Sequence, residues 1–242
     1  MTLNLTPKIE REPFFNVNEI FGPTIQGEGP HTGQLVSFFR VAGCNLSCVW
    51  CDTPYSWDWE RYDRNEESHK QSVTDVAEAL TQLGANRIVM TGGEPMAQQR
   101  NIPLLYALTG LKIDVETNGT MMPKDDTIEA VDLFCVSPKL AHAGDPEEMR
   151  LKPEVLAKFA ELSKVGKAMF KFVAEKEEDF AEIETFIEAG NIPQEAVWIM
   201  PEGFTPERHM ANLTKLADKV IERGWNLTSR LHVLIWGTER GH

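Results

Sequence analysis

From Ser72 onward, short apolar runs alternate with amphipathic stretches, and few architectures accept that order. The runs R-I-V-M (87–90), K-I-D-V-E (112–116), L-F-C-V (133–136), M-F-K-F-V (169–173), V-W-I-M (197–200) and L-H-V-L-I (231–235) have the length of strands. A helix is expected from Ser72, where S-V-T-D resembles a capping box and Val73, Val76, Ala77, Leu80 and Leu83 recur at helical spacing, ending at Gly84. Further helices are expected over 102–108, 153–164, 177–189 and 205–223, and Gly33–Val41 reads as a buried strand upstream of them all. Near-continuous apolar strands separated by amphipathic helices belong to a parallel sheet wrapped by helices. The expected fold class is therefore α/β, a partial (β/α) barrel of mostly parallel strands. At 242 residues, one domain spanning 1–242 suffices, since a complete barrel takes about 250 residues. The 1–14 segment is expected to be an N-terminal arm, and the tryptophan-rich stretch 55–71, which lacks a clear period, a variable insert of loop or short irregular helix.

Charge narrows the substrate. Lys plus Arg total 24 against 37 Asp plus Glu, a formal charge of −13, which repels a polyphosphate backbone. Nucleic acid is therefore not an expected partner, and a small molecule is. No window approaches the roughly 18 apolar residues of a membrane span, and the first residues lack a secretory pattern, so a cytoplasmic, non-membrane protein is expected.

Three of the four cysteines, Cys44, Cys48 and Cys51, fall in the single loop C-N-L-S-C-V-W-C. Such clustering argues against a disulfide framework and for a metal in a reducing compartment. Structural zinc takes four protein ligands and an iron–sulfur cluster normally four thiolates, so three close cysteines leave one coordination position open. Free thiols, or a zinc knuckle completed by His31 or His69, are the competing readings. Cys135, inside an apolar run, reads as a buried small hydrophobe.

The polar groups follow the strands. The cysteine loop comes after Val41, T-G-G-E-P after Met90, E-T-N-G-T after Val115, S-P-K after Val136 and M-P-E-G after Ile199. In barrel folds the loops at the C-terminal ends of strands build the active site. The spacing C-x3-C-x2-C together with G-G-E resembles the radical S-adenosylmethionine superfamily. With F21-G-P-T-I-Q-G-E-G-P-H-T-G33, C51-D-T53, E116-T-N-G119, S137-P-K139 and the terminal L-H-V-L-I-W-G, the chain is similar to the 7-carboxy-7-deazaguanine synthase family from about Phe15 to Gly237.

That resemblance implies a radical-type partial barrel and a carbon–nitrogen lyase that contracts 6-carboxy-5,6,7,8-tetrahydropterin to 7-carboxy-7-deazaguanine with loss of ammonia. It implies that Cys44, Cys48 and Cys51 hold a four-iron four-sulfur cluster. S-adenosylmethionine would be held by Gly93, Glu94, Asn118, Ser137, Pro138, Lys139, Met200, Pro201, Glu202 and Gly203. Ile25, Gln26, Gly27, Glu28, Arg40, Thr91 and His232 would contact the pterin, and Thr53 a magnesium ion. Gln26 and Glu28 suit an aminopyrimidinone edge, and the Arg40 guanidinium suits a carboxylate. A flavodoxin-like or ferredoxin-like electron donor and a homodimer are implied as well. Two other classes share part of the pattern, a glycyl-radical activating enzyme acting on a protein and a plain iron–sulfur or zinc module; Q-G-E-G and C-D-T speak against the first, the lack of a second ligand cluster against the other.

Overall fold

Phe14–Ile25 (β1), Leu35–Val41 (β2), His69–Ser72 (β3), Arg87–Gly92 (β4), Lys112–Thr117 (β5), Leu133–Val136 (β6), Ala168–Ala174 (β7), Val197–Pro201 (β8) and Asn226–Leu227 (β9) join in one sheet, in a computed structural model that describes residues 12–241. The strand order is β3-β1-β2-β4-β5-β6-β7-β8-β9. Pairing is parallel from β2 through β9, and antiparallel only where β1 meets β2 and β3. β3 and β9 are edges, so the sheet curls without closing, as a partial barrel does.

The helices wrap this sheet much as the periodicity demands. Val73–Gln82 begins where the Ser72 hydroxyl accepts from the Asp75 amide at 3.0 Å, and it buries Val73, Val76, Ala77 and Leu80. Ile102–Thr109, Pro153–Ser163, Asp179–Gly190 and Pro206–Glu222 follow. Aromatic contacts fasten them to the strands: Phe134 of β6 lies 5.2 Å from Phe159, and Phe172 of β7 lies 5.9 Å from Phe186. Cys135 is buried in β6, as its apolar setting implied. No helix among the described residues is long and apolar enough to cross a membrane.

Three expectations change. Residues 1–11 of the expected arm lie outside the described residues, and Phe14 already opens the twelve-residue β1. β1 escapes a period-two reading because its register against β2 slips between Val17 and Glu19 and again between Phe21 and Thr24. The 55–71 stretch holds a short helix, Arg64–Glu67, as expected, but then enters β3, which adds an edge to β1.

The third change bears on the site. Leu231–Trp236 is a helix, not the expected last strand, so His232 is carried on a helix. A short apolar run fits either structure by periodicity, and tertiary bonds decide it here. The Leu231 amide donates to the Gly27 carbonyl at 2.9 Å, and the Arg230 amide to His209 Nε2 at 2.9 Å, which anchors the turn onto the loop that follows β1.

Candidate active site

The loops at the C-terminal ends of β2, β4, β5, β6 and β8 surround one cavity of about 640 Å³. All three loop cysteines line it, with Thr53 beside them.

The cysteine loop is held from two sides. The T-G-G-E-P turn bonds to its start, Gly93 donating to the Val41 carbonyl at 3.0 Å and Glu94 to the Gly43 carbonyl at 2.8 Å. A Cβ on Gly93 would fall 1.9 Å from the Gly43 oxygen, so only glycine lets the two backbones meet. On the other side, Asp145 accepts from both the amide and hydroxyl of Ser47 at 2.9 Å and lies 3.6 Å from the Cys48 sulfur. We expect Gly93→Ala to displace the loop and sharply reduce iron uptake with all three cysteines still present; normal iron and sulfide content would count against this role.

The donor set fits a polynuclear cluster better than a single ion. Among the described residues, no three His, Cys, Asp or Glu side chains converge as one metal ion would need. A cluster presents each thiolate to a different iron, so its sulfurs stand apart around a shared volume. Trp57 Nε1 donates to Cys51 Sγ at 3.3 Å, and the Trp50 indole N–H in the same loop is buried with no hydrogen-bond partner among the described residues. N–H groups near cluster sulfurs are a means of setting reduction potential. Burial pushes the Cys44 thiol up to about 11 and the Cys48 thiol up to about 12, so both carry protons that a metal must displace.

Next to the cysteines, Gly93, Asn118, Ser137, Lys139 and Met200 line the cavity. Lys139 Nζ donates to Ser137 Oγ at 3.0 Å, and Pro138 between them is buried away from the cavity. The Glu94 carboxylate does not line the cavity and is bonded within the protein. It accepts from the Met96 amide at 2.9 Å, Thr117 Oγ1 at 2.7 Å and the Asn118 amide at 2.7 Å. Burial raises its pKa despite those bonds. It therefore fixes the loop after β5. Glu202 likewise turns away to Arg208 at 2.7 Å, and Pro201 and Gly203 stand behind Met200 and Phe204.

Ile25, Gln26, Glu28, Arg40, Thr91 and His232 line the other half of the cavity. Gly27 does not, but a Cβ there would fall 2.0 Å from His232 Nδ1, so glycine lets the Leu231–Trp236 helix close over the Q-G-E-G loop. Glu28 is bonded by Lys171 and by Arg230 Nε at 3.1 Å, with His232 at 3.9 Å. Burial opposes its charge, yet the fields of Lys171 and Arg230 prevail and hold its carboxyl well below the ordinary range. Burial lowers the His232 pKa although Glu28 opposes it. Arg40 is held at 2.7 Å by Glu19, which also accepts from Tyr55 at 3.3 Å and from Arg240 at 3.0 Å. Thr91 donates to Glu116 at 2.8 Å.

Several of these residues had no place in the sequence-based site. Arg230 bonds three loops at once, reaching Glu28, the Gly203 carbonyl at 3.2 Å and Asp52 at 2.5 Å. Lys171, Asp52, Glu19 and Glu116 enter the cavity with it, and residues 237–241 line its mouth.

A family model described as the radical SAM superfamily matches residues 39–162, the span from β2 through the loop after β6 into the helix Pro153–Ser163. Over 233 residues the chain is 37% identical to the 7-carboxy-7-deazaguanine synthase of Pyrobaculum aerophilum, covering 95% of this chain and 98% of that one. The chain belongs to the 7-carboxy-7-deazaguanine synthase family. The family's enzyme from Hyperthermus butylicus is 33% identical over 229 residues, 90% of this chain and 92% of its own. The crystal structure of QueE from Escherichia coli shares the fold at a TM-score of 0.66, with 22% identity over 90% of this chain and 95% of that chain.

Proposed function

We propose that this chain is a radical S-adenosylmethionine carbon–nitrogen lyase converting 6-carboxy-5,6,7,8-tetrahydropterin to 7-carboxy-7-deazaguanine and ammonia, in 7-deazapurine biosynthesis of the queuosine type. One observation carries the reading: a single cavity is lined both by three thiols with no fourth and by the Glu28 carboxylate and the Arg40 guanidinium. When bound, the cluster and S-adenosylmethionine supply hydrogen-atom abstraction at substrate C6; the protein supplies position, charge and exclusion of water.

Cys44, Cys48 and Cys51 would hold the cluster, with Gly93, Asn118, Ser137, Lys139 and Met200 around S-adenosylmethionine. Glu28, kept ionised by its two cations, accepts N–H groups of the aminopyrimidinone, and Gln26, whose Oε1 takes the Glu28 backbone amide at 3.2 Å and whose Nε2 donates to Glu116 at 3.3 Å, lines the cavity beside it. Arg40 exchanges Glu19 for the substrate carboxylate. Thr53, beside the cluster loop, would give magnesium one hydroxyl, the substrate and water completing a shell of the kind this ion prefers. A flavodoxin-like or ferredoxin-like protein would deliver the electron, and a homodimeric, single-domain cytoplasmic enzyme completes the reading.

The test is an anaerobic assay of reconstituted protein with reductant, S-adenosylmethionine, magnesium and the tetrahydropterin, read by mass spectrometry. Formation of 7-carboxy-7-deazaguanine is expected. Release of 5′-deoxyadenosine and methionine without it would keep the radical chemistry and overturn the substrate.

A further inference from the structure

Lys171 stands in the middle of β7, 5% exposed, with its side chain facing the cavity. Among the described residues its ammonium makes one hydrogen bond, to Glu28 Oε2. An ammonium carries three protons, so two donor directions have no acceptor there. Donors left unmatched in a buried site are costly, and a ligand acceptor is their natural complement. Arg230, on the other oxygen of the same carboxylate, differs: Nε, Nη1 and Nη2 are already bonded to Glu28, Gly203 and Asp52.

A pyrimidinone edge presents an amino group, a ring N–H and a carbonyl oxygen in a row. A carboxylate takes the first two, and the third then needs a donor beside that carboxylate. We propose that the Lys171 ammonium donates to the ring carbonyl oxygen of the pterin while Glu28 accepts from the two neighbouring N–H groups, which makes Lys171 the residue that selects an oxo over an amino substituent at that ring position. This rests on Glu28 reading the pterin edge, as set out above. Lys171 on β7 and Arg40 on β2 stand four strands apart in the sheet and line the same cavity, so the lysine would sort ligands by the pyrimidine ring and Arg40 by the carboxylate.

The experiment uses reconstituted holoenzyme and pterin-6-carboxylate carrying 13C at the ring carbonyl, with the bound carbonyl stretch read by isotope-edited infrared difference spectroscopy. Wild-type protein should hold the stretch at low frequency, Lys171→Arg should keep it low, and Lys171→Met should move it up and weaken binding at least about tenfold, the equivalent of one charge-assisted hydrogen bond. The same frequency in wild type and Lys171→Met would overturn the proposal, because a purely structural lysine would change affinity without touching that bond. A second measurement uses 2,4-diaminopteridine-6-carboxylate, which at pH 8 lacks both the carbonyl and the ring N–H: wild type should prefer pterin-6-carboxylate at least about tenfold and Lys171→Met should narrow that preference, whereas equal affinities in wild type, or a preference unchanged in the variant, would sink the assignment. If wild type binds pterin-6-carboxylate in neither assay, the pterin reading itself falls and Lys171 loses its ligand with it. Binding with an unshifted stretch removes the lysine role alone.

Discussion

Cys48→Ala protein, reconstituted anaerobically, should retain little iron and sulfide and form no 5′-deoxyadenosine above background. The expectation follows from the donor count. Three thiols line the cavity, and the fourth cysteine, Cys135, is buried in β6 rather than in the cluster loop, so no other thiol can replace a missing one. Cys48 is located by its neighbours, with Asp145 3.6 Å from its sulfur and gripping Ser47 beside it. Because the loop's backbone bonds to Gly93 and Glu94 do not involve this side chain, the variant should fold with an unchanged melting temperature in the metal-free form. That separates loss of a ligand from loss of a fold. Full iron content with undiminished 5′-deoxyadenosine formation would refute the three-thiol cluster.

How much of this arrangement the chain discloses before folding depends on the range of the interactions. The βα alternation is local, and β4 to β8 with the helices expected over 102–108, 153–164 and 177–189 lie where periodicity placed them, while the short helices Asp125–Ala130 and Glu147–Arg150 were not expected. The cysteine loop, T-G-G-E-P and S-P-K are legible because each is a short polar motif ending an apolar strand. The charged lining of the barrel is different. Glu28 meets Lys171 across 143 positions, and Arg230 meets Asp52 across 178, so nothing near either residue announces its partner. A faint signal does exist: M-F-K-F-V and K-I-D-V-E carry ions inside otherwise apolar strands, and side chains at alternate positions face one side. Asp114 and Glu116 share that side of β5; Asp114 bonds Arg87 and His31 below, and Glu116 bonds Thr91 above. β1 and Leu231–Trp236 were obscured for other reasons, the one by its bulges and the other by being too short for its period to show.

Those long-range charges explain why Glu28→Gln should have the largest effect of any single substitution on the substrate side. The Glu28 side chain is 11% exposed and answers two cations. Arg230 keeps Asp52 and Gly203 when the carboxylate is neutralised, but Lys171 loses its one bonded partner among the described residues. Breaking one side of a buried ion pair costs about 3–5 kcal/mol; we expect the lower part of that range, since an amide oxygen remains. The same change replaces an acceptor-only carboxylate with a group that also donates, so affinity for a pterin should fall by about 100-fold, some 2.7 kcal/mol. S-adenosylmethionine binding should hardly move, because Glu28 bonds Lys171 and Arg230 and none of the residues proposed to hold S-adenosylmethionine. Acid provides the independent check. The folded carboxyl is depressed below its ordinary value of 4.5, so its stabilisation is complete above that pH and lost as pH falls toward the folded value. The gap in unfolding free energy between wild type and Glu28→Gln should therefore be full at pH 7 and narrow below about pH 4.5. A gap of the same size at pH 7 and pH 3.5, or unchanged pterin affinity in the variant, would show that Glu28 is not the charged centre of the substrate site.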